Sequence, residues 1–332
     1  MPKKTYAAAF VDGINRAMMR DPDIRLIGTG FGGRFEGTLH RNYPSRIVDP
    51  PTSEGAMAAL GTGAALTGMP TMVHFGTSAF MLEAWNQICH EAAVSHYMTS
   101  GDIDVPVTFH GFHGVRVGGA PQHSTSPQAM AANMPGLQVV LPSSPHDAKG
   151  LIMSALKSRN PTVFLNHTKL MGIEGEVPTR AYELPFGKLD IKRRGRDVTI
   201  VATSWMVQVS LQAAALLAED GISAEVVDPR TAVPLDMKGI VRSVRKTGRL
   251  VCVDETPEMC SIASEVAAGV VQHGFGALKA PIERVCRAPT PTPFSPPLER
   301  FTVPQPETIA DAARKTVGRG RRRGRRPRRT SA

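Results

Sequence analysis

Short apolar runs alternate with longer helical stretches along nearly the whole chain, and that rhythm restricts the fold more than any single residue does. Strands are expected at 24–28, 46–48, 71–75, 105–110, 137–141 and 162–165. Helices are expected at 5–20, 54–67, 79–98, 127–133 and 145–158. The first of these carries Tyr6, Phe10, Ile14 and Met18 at four-residue spacing, one apolar face of a helix. Strands that are apolar throughout, separated by helices, predict an α/β protein with a mostly parallel sheet covered on both faces.

Residues 172–196 break the rhythm with Gly172, Gly175, Pro178, Pro185 and Gly187, followed by Lys192-Arg193-Arg194-Gly195-Arg196. They read as an interdomain connection whose charges form a solvated surface. A second α/β unit follows, with strands at 198–202, 224–227, 250–253 and 282–286 and helices at 206–219, 236–246, 260–273 and 306–317. The proline-rich run 288–297 is excluded from helix, because proline lacks the N–H donor and clashes with the preceding turn. The expected organisation is a first domain over 1–175, a linker over 176–196, a second domain over 197–318 and a disordered arginine-rich tail over 319–332.

The formal charge of +10 is a property of that tail, since eight arginines fall between Arg319 and Arg329. The remaining body carries +2, too little for a global nucleic-acid footprint. Only the tail could bind nucleic acid or another acidic surface, with strong salt dependence. Cys89, Cys252, Cys260 and Cys286 are widely spaced, which points to a reduced, cytoplasmic protein rather than a disulfide or zinc framework. No apolar run reaches the roughly 18 residues of a membrane helix.

The candidate chemistry lies in the first unit. Glu54 follows Asp49-Pro-Pro-Thr-Ser at a strand-to-helix junction and opens a run of small residues, 56–68. There it is either a helix-capping carboxylate or an acid–base group. Phe80 opens the next helix, as a core aromatic or a ring for a ligand to pack on. His123 lies in Gly118-Gly-Ala-Pro-Gln-His-Ser-Thr-Ser126, a mobile loop where a histidine suits proton transfer or a local hydrogen bond. His110, His113 and Arg116 could face an anionic substrate, and a zinc site of His110, His113 and His123 is disfavoured by the lack of a further ligand. Gly28-Thr-Gly-Phe-Gly-Gly33 fits a dinucleotide fingerprint on paper, but no sustained apolar helix follows it; a glycine loop is the better reading.

Taken in order, Asp49-Pro-Pro-Thr-Ser-Glu54, Phe80, Asn86-Gln-Ile-Cys-His-Glu-Ala-Ala93, Ala120-Pro-Gln-His123, Pro135-Gly-Leu-Gln-Val-Val140, Pro145-His-Asp-Ala-Lys-Gly-Leu151 and Val226-Val-Asp-Pro-Arg-Thr231 resemble the beta subunit of thiamine-dependent 2-oxo acid dehydrogenases. These are the decarboxylating components of the pyruvate, branched-chain and acetoin complexes. The likeness spans about residues 4–317 and excludes the tail. It implies a pyrimidine-binding domain followed by a transketolase C-terminal domain. It also implies an α₂β₂ assembly in which thiamine diphosphate lies between the two kinds of chain, with Mg²⁺ and the diphosphate held mainly by the alpha subunit. The G-D-G…N motif for that ion is absent here.

The resemblance implies that Glu54 bonds the aminopyrimidine N1′ and that Phe80 packs on that ring. It gives His123 the role of orienting the 2-oxo acid and assisting acyl transfer to a lipoyl domain of the acyltransferase core. Departures stand at Thr29-Gly30, where an acidic pair is usual, at His110-Gly111-Phe112, where Arg-Gly-Pro is usual, and at Ser158, where an acid is common beside a structural K⁺. A lapsed, scaffolding beta-like subunit is the alternative that these departures leave open.

Overall fold

A computed structural model describes residues 1–28 and 37–318. The glycine loop 29–33, including Thr29-Gly30, and the arginine-rich tail therefore lie outside the described residues.

Seven strands form the first sheet, in the spatial order Thr231–Val233, Gln138–Val140, Thr162–His167, Val107–His113, Thr71–Thr77, Arg25–Gly28 and Ile47–Val48. All neighbours pair in parallel except Thr231–Val233, which runs antiparallel to Gln138–Val140. Successive side chains of these strands enter opposite faces. Met72 joins one apolar cluster, while Val73 and Phe75 join the other.

The first face is covered by helices Tyr6–Arg20 and Pro145–Lys157. Thr5 caps one, its hydroxyl accepting the Ala8 N–H at 3.2 Å, and Ser144 caps the other by accepting the Asp147 N–H at 3.2 Å. The expected stripe of Tyr6, Phe10, Ile14 and Met18 is the buried face of the first helix. The opposite face carries helix Glu54–Leu66 and the stretch 78–98. That stretch is not the single α-helix expected: a 3₁₀ segment, Ser78–Ala84, and a π-helical segment, Gln87–Ala92, precede the α-turns Ala93–Met98. Such π segments are rare and concentrate at functional places.

The second sheet has the order Glu283–Arg287, Leu250–Pro257, Val198–Ala202, Ala224–Asp228 and Asp190–Arg193, parallel except for the last strand. Two sequence expectations need correction here. The basic stretch 192–196 is not simply solvated surface: Lys192 lies in an edge strand and pairs with Asp147, Asp190 at 2.9 Å and Asp228 at 3.6 Å. Asp147 and Asp228 are fully buried, where an unpaired carboxylate is costly and a neighbouring ammonium offsets part of that cost. The proline run also gives way sooner than expected, since Pro296 and Pro297 open helix Pro296–Thr302. Proline is tolerated in a first helical turn, where its missing N–H has no partner to lose.

The two units are joined by more than their connecting chain. Strand Thr231–Val233 belongs to the second half of the sequence yet forms the edge of the first sheet. Ala232, Ile240 and Val266 continue the same apolar cluster as Val73 and Phe109. No helix among the described residues is long and apolar enough to cross a membrane.

Candidate active site

Glu54 is the first residue of helix Glu54–Leu66, with Ser53 at the cap position. Ser53 makes no side-chain capping bond there. Glu54 is half-buried, and its carboxylate makes no hydrogen bond or ion pair among the described residues. Its position in the first turn is electrostatically favourable, because the exposed N–H groups carry partial positive charge. The helix is packed so closely that a Cβ on Gly61 would lie 2.2 Å from the Val73 Cγ2. At the first turn, a Cβ on Gly55 would meet the Glu83 carbonyl and the Gln87 side chain at 3.7 Å. Glu54 therefore sits where the 3₁₀ segment turns into the π-helical one.

Phe80 and His123 come together directly. Their ring centroids are 5.6 Å apart with planes at 75°, an edge-to-face contact between half-buried side chains. The His123 Nδ1 is buried and has no hydrogen-bond partner among the described residues. Such an orphaned atom costs free energy unless something supplies a partner. The loop that carries it is conformationally demanding. Ala120 adopts φ 52° and ψ −173°, a region L-residues rarely occupy, immediately before Pro121. The chain's own contacts do not join Glu54 to this pair; helix packing alone places it nearby.

The other histidines serve differently from the sequence expectation. His110 and His113 are 1 % and 2 % exposed, so neither faces a substrate. The His110 Nδ1 meets the His74 Nδ1 at 2.7 Å, and Asn166 approaches the His110 Nε2 at 3.1 Å. Asn166 in turn accepts the Tyr6 hydroxyl. Because the Asn166 amide donates, the His110 Nε2 is the acceptor and its proton sits on Nδ1. Burial lowers the pKa of His74 to about 4 and that of His110 well below the ordinary value, so both are neutral. His113 bridges the Ser126 and Ser204 hydroxyls at 3.3 and 3.0 Å, and burial lowers it to about 3. Among the described residues no group of three potential ligands could hold a metal ion.

Sequence reasoning passed over Asp254 and Glu255, which the second unit places beside the His123 loop. Both are buried. Burial pushes the Glu255 carboxyl up, but His167, His113 and the Val115 N–H together outweigh it and hold the group at about 2. A signal was available: two acids at the C-terminal end of an apolar parallel strand, the end where α/β sheets build their sites.

Comparison with known proteins agrees with this architecture. Residues 2–173 match the family described as "Transketolase, pyrimidine binding domain", and residues 187–309 match "Transketolase, C-terminal domain". The chain is 41% identical to the Cupriavidus necator "Acetoin:2,6-dichlorophenolindophenol oxidoreductase subunit beta", with 96% of this chain and 99% of that protein covered. It is 39% identical to the Bacillus subtilis "2-oxoisovalerate dehydrogenase subunit beta", over 92% and 97%. It is 36% identical to the Rickettsia felis "Pyruvate dehydrogenase E1 component subunit beta", over 94% and 97%. A solved structure titled "Split gene transketolase, inactive beta4 tetramer" superposes with a TM-score of 0.78 at 20% identity, covering 95% of this chain and 99% of that one, which speaks for the fold alone.

Proposed function

The chain belongs to the transketolase-like family of 2-oxo acid dehydrogenase E1 beta subunits, and from that premise we propose that it forms half of a thiamine diphosphate site shared with an alpha subunit. The reaction is oxidative decarboxylation of a 2-oxo acid, with the acyl group passed to a lipoyl domain. The observation that carries the reading is the Phe80–His123 contact with its unpartnered, buried His123 Nδ1, close to a helix that begins at Glu54.

These residues suit the coenzyme. Glu54 offers a carboxylate with no partner of its own among the described residues, fit to hold a proton at the pyrimidine N1′. Phe80 offers an aromatic surface for the same ring. When bound, thiamine diphosphate supplies the carbon that adds to the 2-oxo group and takes up the electrons released with carbon dioxide. His123 is placed to orient the substrate and to move a proton on its far side. Phe80 holds the imidazole edge-on, which limits its rotation and favours one geometry.

The alpha subunit would bring Mg²⁺ and the diphosphate contacts, and two copies of each chain would form the enzyme. A lipoyl acyltransferase core would receive the acyl group. A structural K⁺ near Ser158 would meet a neutral hydroxyl, which donates to the Gln138 side chain at 2.8 Å. The cysteine usage supports a cytoplasmic setting, and the arginine-rich tail would serve as an acidic-surface contact outside the catalytic body. No observation favours a lapsed scaffold.

The test is reconstitution with an alpha subunit, thiamine diphosphate, Mg²⁺ and a panel of 2-oxo acids, followed with an artificial electron acceptor. Glu54→Ala should lower turnover by about 10²–10⁴-fold, the usual scale of a lost acid–base group, with assembly unchanged. Unaltered turnover in that variant would remove the proposed role.

A further inference from the structure

Two adjacent acids in the C-terminal half of strand Leu250–Pro257 each reach a different end of the His123 loop. Glu255 Oε1 accepts the Val115 N–H at 2.6 Å, at the start of the loop. Asp254 Oδ1 accepts the Gln128 amide at 3.0 Å, just after the loop closes into helix Gln128–Ala132. Asp254 and Glu255 are 1 % and 3 % exposed. Consecutive strand residues would ordinarily point to opposite faces, but the pairing slips between Asp254 and Pro257 and frees both for the same seam.

Each acid is itself fixed from behind. The His167 Nδ1 accepts the Lys169 N–H at 3.1 Å, so its proton lies on Nε2 and is donated to Glu255 Oε2 at 2.7 Å. Asp254 Oδ2 accepts the Ile262 N–H at 2.9 Å, in the first turn of helix Ile262–Gly274. Within the loop, Thr125 O accepts the Gly114 N–H at 3.3 Å and the Ser78 hydroxyl at 3.0 Å. Ser78 opens the segment that carries Phe80. His113 ties the loop's far end to the second unit through Ser126 and Ser204.

We propose that Asp254 and Glu255 are positioning residues: the second unit clamps both ends of the loop and thereby sets His123 against Phe80. The catalytic histidine then belongs to one domain and its placement to the other. The inference rests on the functional reading above for what His123 does, but the clamp itself is a property of this chain. Glutamine cannot replace Glu255, because both carboxylate oxygens face N–H donors and an amide has only one acceptor end. Whichever way that amide turns, one donor loses its partner. Displacement of a reacting group by about 1 Å is enough to cost on the order of 10²-fold in rate.

The experiment compares wild type, Glu255→Gln, His123→Ala and the double variant in the reconstituted enzyme. It measures kcat, KM, thiamine diphosphate affinity and amide hydrogen exchange. In Glu255→Gln, kcat should fall about 10–100-fold. Coenzyme affinity should hold, and exchange should rise across 115–126. The double variant should be no worse than His123→Ala, since two residues acting through one group are not additive. Independent, multiplying losses, or unchanged exchange in the loop, would overturn the clamp. If the wild type shows no thiamine-dependent turnover, the functional reading fails while the exchange result still decides the clamp. Should Glu255→Gln not assemble, Gln128→Ala releases the other end of the loop and is read in the same way.

Discussion

Gly114 shows how little freedom the site's surroundings have at the scale of one residue. Its φ is +82°, a region costly for any side chain but glycine's hydrogen. A Cβ would also lie 1.9 Å from the His167 Nε2 and 2.9 Å from Glu255 Oε1. Backbone strain and overpacking, each on the order of 1–3 kcal/mol, act together in Gly114→Ala. That variant should lower the denaturant midpoint by the equivalent of about 2 kcal/mol or more, measured on the isolated chain. A change under about 0.5 kcal/mol would mean that His167 and Glu255 move apart freely. At this scale the sequence displayed the candidates but not their relations. Glu54, Phe80 and His123 stand out by motif and by loop chemistry. The contact between Phe80 and His123 does not, because it joins a 3₁₀ segment and a distant loop through a fold neither encodes locally. Asp254 and Glu255 were hidden by the general rule that acids are seldom fully buried, which made them look like the end of a strand. His110 and His113 erred the other way: polar residue types suggested a surface, while the sheet put them in its interior.

Helix Glu54–Leu66 carries the argument at the scale of elements, because two of its glycines should respond in opposite directions. Gly61 faces the sheet, with Val73 Cγ2 2.2 Å from where a Cβ would stand. Gly63 is exposed, with nothing within 4 Å. Alanine favours helix over glycine by about 1 kcal/mol, whereas inserting a methyl into a filled contact costs typically 1–3 kcal/mol. Gly61→Ala should therefore destabilise the isolated chain, and Gly63→Ala should stabilise it by about 0.5–1 kcal/mol. Thermal midpoints moving the same way in both would refute the packing argument. The run of small residues already suggested close approach, so this much was readable beforehand. So were the long periodic helices, whose ends fall within a residue or two of expectation. What escaped was set by distant partners. Thr231–Val233 is a strand only because Gln138–Val140 presents an open edge, and Asp190–Arg193 only because Ala224–Asp228 does. The stretch 78–98 looks like one helix by composition, but its early turns are tightened and widened where they meet Glu54's helix.

Across the whole molecule, the two units share a core cluster, an edge strand and a buried set of charges around Asp147, Lys192 and Arg230. Their joint stability should carry the signature of the neutral histidines inside. His74, His110 and His113 are held by burial below the ordinary value of 6.5, at about 4 for His74 and about 3 for His113. Between those values and 6.5 the unfolded chain binds more protons than the folded one. Stability is then level above about pH 7 and falls as the pH drops, by up to about 1.4 kcal/mol per pH unit for each histidine. Asp228, raised by burial, binds its proton more readily when folded and so opposes the fall over part of this range. The net slope should match about two histidines. Glu255 lies outside the window, since a carboxyl lowered to about 2 keeps its stabilising contribution until far more acidic conditions. Denaturant midpoints at pH 8, 7, 6 and 5 test this directly. His113→Asn removes the titrating group, so it should flatten the curve by about 1.4 kcal/mol per pH unit at its steepest. A wild-type profile that stays level from pH 8 to 5 would show that the folded chain takes up protons as readily as the unfolded one, contrary to the lowering of these histidines by burial.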